Sequence, residues 1–228
     1  MVKIRKARRI KGFQLCYFCI LKMEADPFAA LRIKEFQYFI SGRLFFITGL
    51  RMMTTVVSWW LYEVTRDPFA IGLIGLAEVI PAVGLALYAG HIIDTHERSR
   101  ILKRSILLYA LTFFLIFLVS TDLVQKNVSQ SHWILMVYAL MFCTGAIRAF
   151  SGSAFVSILA QIIPYNKLTN AITINSGTFL TAAITGHAIG GLLIAAIGVS
   201  GAAFISFALV LVSGINVWKI SPKPLAEG

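Results

Sequence analysis

From about residue 39 onward the chain is built of long apolar runs separated by short polar breaks. The runs fall near 39–63, 71–93, 104–121, 133–158, 169–197 and 199–219. An uninterrupted apolar stretch of about 18 or more residues has the length and composition of a helix that crosses a bilayer. Lipid offers no partners to backbone amides, so such segments must satisfy their own hydrogen bonds as helices. A transmembrane barrel would show apolar and polar residues in alternation, and these runs do not alternate. The pattern predicts an all-α integral membrane protein with six transmembrane helices.

The breaks carry the usual signals for stopping and restarting a helix. Arg66-Asp67-Pro68 separates the first run from the second. Asp122 to His132 forms the longest outer loop, and Pro164-Tyr165-Asn166-Lys167 closes the fourth run. Residues 1–35 read as a basic cytoplasmic segment, 36–220 as the membrane domain and 221–228 as the start of a truncated cytoplasmic linker.

Composition agrees with a bilayer as solvent. The chain is 58% hydrophobic and 14% charged, against about 25% charged in soluble domains. Its net charge of +11 invites a nucleic-acid reading, but the distribution of that charge argues for topology instead. Nine of the 21 Lys and Arg residues precede the first run, and four (Arg98, Arg100, Lys103, Arg104) follow the second. Lys167, Lys219 and Lys223 lie on the same side of a six-span arrangement, and the opposite side carries Arg66 and Lys126. By the positive-inside rule both termini are expected in the cytoplasm, with the protein in a plasma membrane of the bacterial inner-membrane type. The basic excess then contacts anionic headgroups of the lipid bilayer rather than nucleic acid.

Residues 1–22 differ from the rest. Basic residues from Lys3 to Lys11 precede a short apolar stretch, Phe13 to Leu21. No small-residue cleavage site follows, so the segment reads as a basic extension or an upstream start ahead of Met23. Cys16, Cys19 and Cys143 form no disulfide framework.

The tightest cluster of charge lies between the second and third runs and reads Gly90-His91-Ile92-Ile93-Asp94-Thr95-His96-Glu97-Arg98. With Gly90, Asp94 and Arg98 at spacings of four, it resembles the signature turn of the major facilitator superfamily. Ile92, Thr95, Glu97 and Ser99 depart from that signature. Arg148 with Gly152 resembles the family's fourth helix, and Gly186, Gly190 and Gly191 resemble the glycine motif of its exporter branches. His187 stands where that motif has proline, which puts a proline-dependent kink in doubt. Phe28-Ala29-Ala30-Leu31 and Gly72-Leu73-Ile74-Gly75-Leu76 are similar to the branch that includes enterobactin exporters and macrolide-efflux-like proteins.

The resemblance implies the N-terminal six-helix half, a 3+3 repeat, of a twelve-helix transporter. It implies proton-coupled export of small organic molecules, siderophore- or drug-like, with Gly90, Asp94 and Arg98 in gating. A second six-helix half would complete the path. The competing reading is a truncated membrane protein that does not transport, or an assembly partner of a separate C-terminal half. No enzymatic activity, catalytic residue, cofactor or metal site is expected. His91, Asp94, His96 and Glu97 have ligand-type side chains, but their spacing does not converge them.

Three residues inside the runs carry the remaining chemistry. Glu78 is the one carboxylate well inside a run, and a buried intramembrane acid is a functional candidate because hydrocarbon disfavours its charge. It lies within about 6 Å of Arg51 in depth, so a structural ion pair with Arg51 and a proton-titrating role are both open. Arg148 is expected to face a central cavity or to pack against a neighbouring helix. Gly186, Gly190 and Gly191 allow close helix approach. Trp59, Trp60, Tyr62 and Trp133 are expected at the outer interface and Trp218 at the inner one, as an aromatic belt.

Overall fold

The computed structural model describes residues 28–220. The basic stretch 1–22 with Cys16 and Cys19, and Lys223, lie outside the described residues. Among the described residues every regular element is helical. The helices are α1 (Lys34–Thr65), α2 (Pro68–Gly84), α3 (Ala86–Thr95), α4 (Arg98–Val119), α5 (Asp122–Asn127), α6 (Gln130–Ile162) and α7 (Leu168–Trp218). Four of them, α1, α4, α6 and α7, are long and apolar enough to cross a membrane, and the bent pair α2–α3 makes a fifth span if taken together.

Local chemistry sets the breaks. Arg66 ends α1 in the left-handed region at φ 53°, its N–H bonded to the Tyr62 carbonyl at 2.8 Å. Asp67 then caps α2 by accepting from the Phe69 N–H at 2.9 Å, with Pro68 in the first turn, where its missing N–H costs nothing. The second apolar run bends by 47° between α2 and α3. Pro81 lies inside α2 and removes one ladder hydrogen bond, and the chain bends one turn later at Leu85.

The 51-residue α7 is two arms joined at Gly198, whose φ of 75° and ψ of 179° belong to a region reserved for glycine. Both arms pack on α1, and the contacts give their directions. In the first arm Gly186 faces Thr48 and Arg51 and Gly190 faces Met52, so it runs with α1. In the second, Gly49 faces Ser206 and Val210 and Gly42 faces Val217, so it runs against α1. The chain therefore reverses at Gly198. Small residues at these crossings let backbones meet where lipid gives no hydrophobic drive to associate.

The other helices complete the bundle. α6 packs on α2, α3 and α4, and α4 packs on the second arm of α7. Aromatic pairs mark the seams. Phe46 lies edge-on to Tyr109 of α4 at 5.1 Å and near Phe155 of α6 at 5.3 Å, and Phe117 meets Phe204 at 5.4 Å. Trp60 and Trp133 stack at 4.7 Å with both rings buried. These two are core residues that join α1 to α6, not belt anchors. Trp59 and Trp218 are exposed, as a belt requires.

Candidate functional site

A cavity of about 220 Å³ opens among α1, α2, α4, α6 and the first arm of α7. Arg43 and Arg51 reach it from α1, Glu78 from α2 and Arg148 from α6. The three arginines and the single carboxylate that lie well inside the apolar runs meet in this one space. Phe46, Tyr109, Phe113, Phe155 and Phe179 supply much of the remaining wall.

Glu78 pairs with Arg148, whose Nη1 donates to Oε1 at 2.7 Å. Arg51 is not its partner, although the two lie at similar depth along their helices. Depth fixes position along the helix axis only, and the facing direction of α1 turns Arg51 toward the first arm of α7. There its guanidinium lies 5.8 Å from the Phe179 ring centre. The Glu78 side chain is 16% exposed and that of Arg148 is 44% exposed. The pair thus joins a sheltered acid to a base that reaches the open side.

A residue that sequence reasoning missed makes the pair possible. A Cβ at Gly145 would overlap the Glu78 carbonyl oxygen and lie 2.8 Å from Pro81 Cγ. Only glycine lets α2 sit this close to α6, and Arg148 follows one turn later on the same face. The Gly145-x-x-Arg148 spacing was the available signal. Arg43, absent from the sequence-based candidates, also belongs to the site. It sits eight residues before Arg51 on the same side of α1, with its guanidinium 5.0 Å from the Phe155 ring centre. Its buried Nε has no hydrogen-bond partner among the described residues.

The base of the cavity is fixed by Tyr109. It is buried and donates to the Thr144 carbonyl at 3.1 Å. A second, wider pocket of about 370 Å³ continues along α1 and shares Thr54 with the first. Thr55, Ser58, Trp59, Tyr62 and His187 line it. Thr55 Oγ1 and His187 Nδ1 are hydrogen-bonded at 2.8 Å. Arg51, Thr54, Thr55, Ser58 and Tyr62 therefore form a polar stripe on one side of α1.

Gly90 and Asp94 lie one turn apart near the end of α3, and Arg98 opens α4 after the turn at His96 and Glu97. Glu97 pairs with Arg100 at 3.0 Å. Among the described residues no three His, Cys, Asp or Glu side chains are grouped to hold a metal ion. Gly186 is in tight contact with α1, where a Cβ would lie 2.8 Å from both Arg51 Cβ and the Thr48 carbonyl oxygen. Gly190 is close to Met52, whereas a methyl at position 191 would meet nothing within 4 Å.

Long apolar helices packed around a cavity of arginines and one carboxylate have the architecture of a multi-pass membrane protein. Residues 25–224 match the family described as transmembrane secretion effector (MFS_3). The chain belongs to that family, within the major facilitator superfamily of membrane transport proteins. Comparison with curated proteins gave no match, and comparison with solved structures gave none.

Proposed function

We propose that the chain forms the N-terminal six-helix half of a proton-coupled exporter of small organic molecules. The spans are α1, α2–α3, α4, α6 and the two arms of α7. Both termini face the cytoplasm of a bacterial cell in this reading, and the excess of Lys and Arg on that side supports the orientation. A second six-helix half, on the same or another polypeptide, supplies the opposite wall of the path. The 3+3 repeat is supported by Arg51 on the first span and Arg148 on the fourth, which reach one shared cavity.

The observation that carries this reading is the Glu78–Arg148 ion pair in the wall of the central cavity. Protonation of Glu78 neutralises the carboxylate and releases Arg148, so proton binding and the charge of the cavity change together. The polar stripe on α1 continues the path past Thr54. Gly90, Asp94 and Arg98 act as the gate at the far end of α3, where the turn meets the second half.

The test is transport in proteoliposomes. An imposed pH gradient should drive accumulation of a substrate by the unmodified protein reconstituted together with its second half. Glu78→Gln should lose gradient-driven accumulation and keep equilibrium exchange of the same substrate. Full gradient-driven accumulation by Glu78→Gln would remove the coupling role. Asp94→Asn should insert normally and fail to transport; unchanged rates in that variant would remove the gating role.

A further inference from the structure

We propose that the cavity selects an organic acid: a molecule whose carboxylate or similar anionic group is held by Arg43 and Arg51 while its ring or apolar body packs on Phe46, Phe155 and Phe179. The proposal deepens the export reading and rests on it for the claim that the anion is cargo.

The charges in the cavity do not balance. Three guanidinium groups share a space with one carboxylate, and that carboxylate is taken by Arg148. Among the described residues neither Arg43 nor Arg51 forms an ion pair, and each instead lies over a phenylalanine ring, Phe155 at 5.0 Å and Phe179 at 5.8 Å. A ring face compensates a cation weakly compared with a carboxylate. Arg43 Nε is buried with no hydrogen-bond partner among the described residues. Two partly buried guanidinium groups that face the cavity without a carboxylate partner leave charge for an anion to share. The planar guanidinium fork fits a carboxylate in two parallel hydrogen bonds. The rings that carry the arginines leave apolar surface for the rest of the molecule. A cationic cargo would meet the same two guanidinium groups as repulsion.

Depth separates a free organic anion from a lipid headgroup. Measured from the ends of the first apolar run at 39 and 63, Arg51 lies about 18 Å inside on either side, whereas Arg43 lies about 6 Å inside the nearer end. A headgroup at the surface of the bilayer does not reach Arg51, whereas a soluble acid entering the cavity does; at Arg43 the lipid competition below separates the two.

Binding to the purified full chain in phosphatidylcholine nanodiscs tests the proposal, with three probes of one shape: 1-naphthoate, neutral 1-naphthamide and cationic 1-naphthylmethylamine. Naphthoate should bind about tenfold or more tighter than the amide, and the amine weakest, because charge-assisted hydrogen bonds are at stake. Arg43→Gln and Arg51→Gln should each weaken naphthoate about tenfold and leave the amide within about twofold. The ranking on the unmodified chain stands even where a variant fails to fold.

Equal or tighter binding of the amine, or Gln variants that weaken all three probes alike, would overturn the proposal. So would full competition by phosphatidylglycerol added to the nanodiscs, which would assign the arginines to lipid. A failed ranking with gradient-driven transport intact would remove the acid preference and leave export standing. The predicted ranking without any transport when the second half is present would support the anion site and contradict export.

Discussion

At the scale of single residues, glycine decides where the charged groups meet. A methyl at position 145 would overlap the backbone of Glu78, so Gly145→Ala should push α2 away from α6 and break the Glu78–Arg148 pair. The expected loss is about 1–3 kcal/mol of stability, read as a lower unfolding temperature in detergent, with transport lost in parallel. Two of the three glycines in the fifth run that resemble one motif should behave differently. Gly186→Ala places a Cβ 2.8 Å from Arg51 Cβ, whereas Gly191→Ala meets nothing within 4 Å. Thermal unfolding should fall for Gly186→Ala and stay near the unmodified value for Gly191→Ala. Equal effects would show that the motif acts as a unit rather than through its contacts. Glu78, Arg51 and Arg148 were legible in the sequence, because ionisable groups inside apolar runs stand out, whereas Arg43 near the start of its run was not among the candidates. Their pairing was not. Spacing along a helix gives depth, and the choice of Arg148 over Arg51 depends on rotation about the axis. In water, an apolar stripe reveals that rotation. In lipid the outer face is as apolar as the core, which is why the burial of Trp60 and Trp133 also escaped the belt rule.

At the scale of elements, the breaks divide by how they announce themselves. Arg66-Asp67-Pro68 is polar, interrupts the hydropathy and was readable directly. The bend between α2 and α3 was not, because Pro81 and Gly84 sit in an apolar stretch and leave its hydropathy high. The reversal at Gly198 is marked by little more than a glycine between two apolar runs, and its backbone at φ 75° explains the choice. Gly198→Ala has open space for its methyl, so its penalty comes from backbone conformation alone. It should cost about 1–3 kcal/mol, seen as a lowered unfolding temperature. A neutral result would mean that the two arms of α7 can join through another backbone geometry.

At the scale of the whole molecule, two solvents meet on one bundle. Large apolar side chains such as Leu111 of α4, 54% exposed, and Leu192 of α7, 70% exposed, are expected to face lipid or a second half. The stripe at Arg51, Thr54, Thr55, Ser58 and Tyr62 borders the two pockets through which the proposed export path runs. Both faces are open in the bundle, and what differs is the medium that fills them. Thiol accessibility in proteoliposomes separates these media most directly, using single cysteines at Ser58 and Leu111 after Cys16, Cys19 and Cys143 are replaced by serine. A charged thiol reagent should modify Ser58→Cys and leave Leu111→Cys unmodified. Reaction at both positions would place the bundle in water, and protection at both would mean that the α1 stripe lines no path.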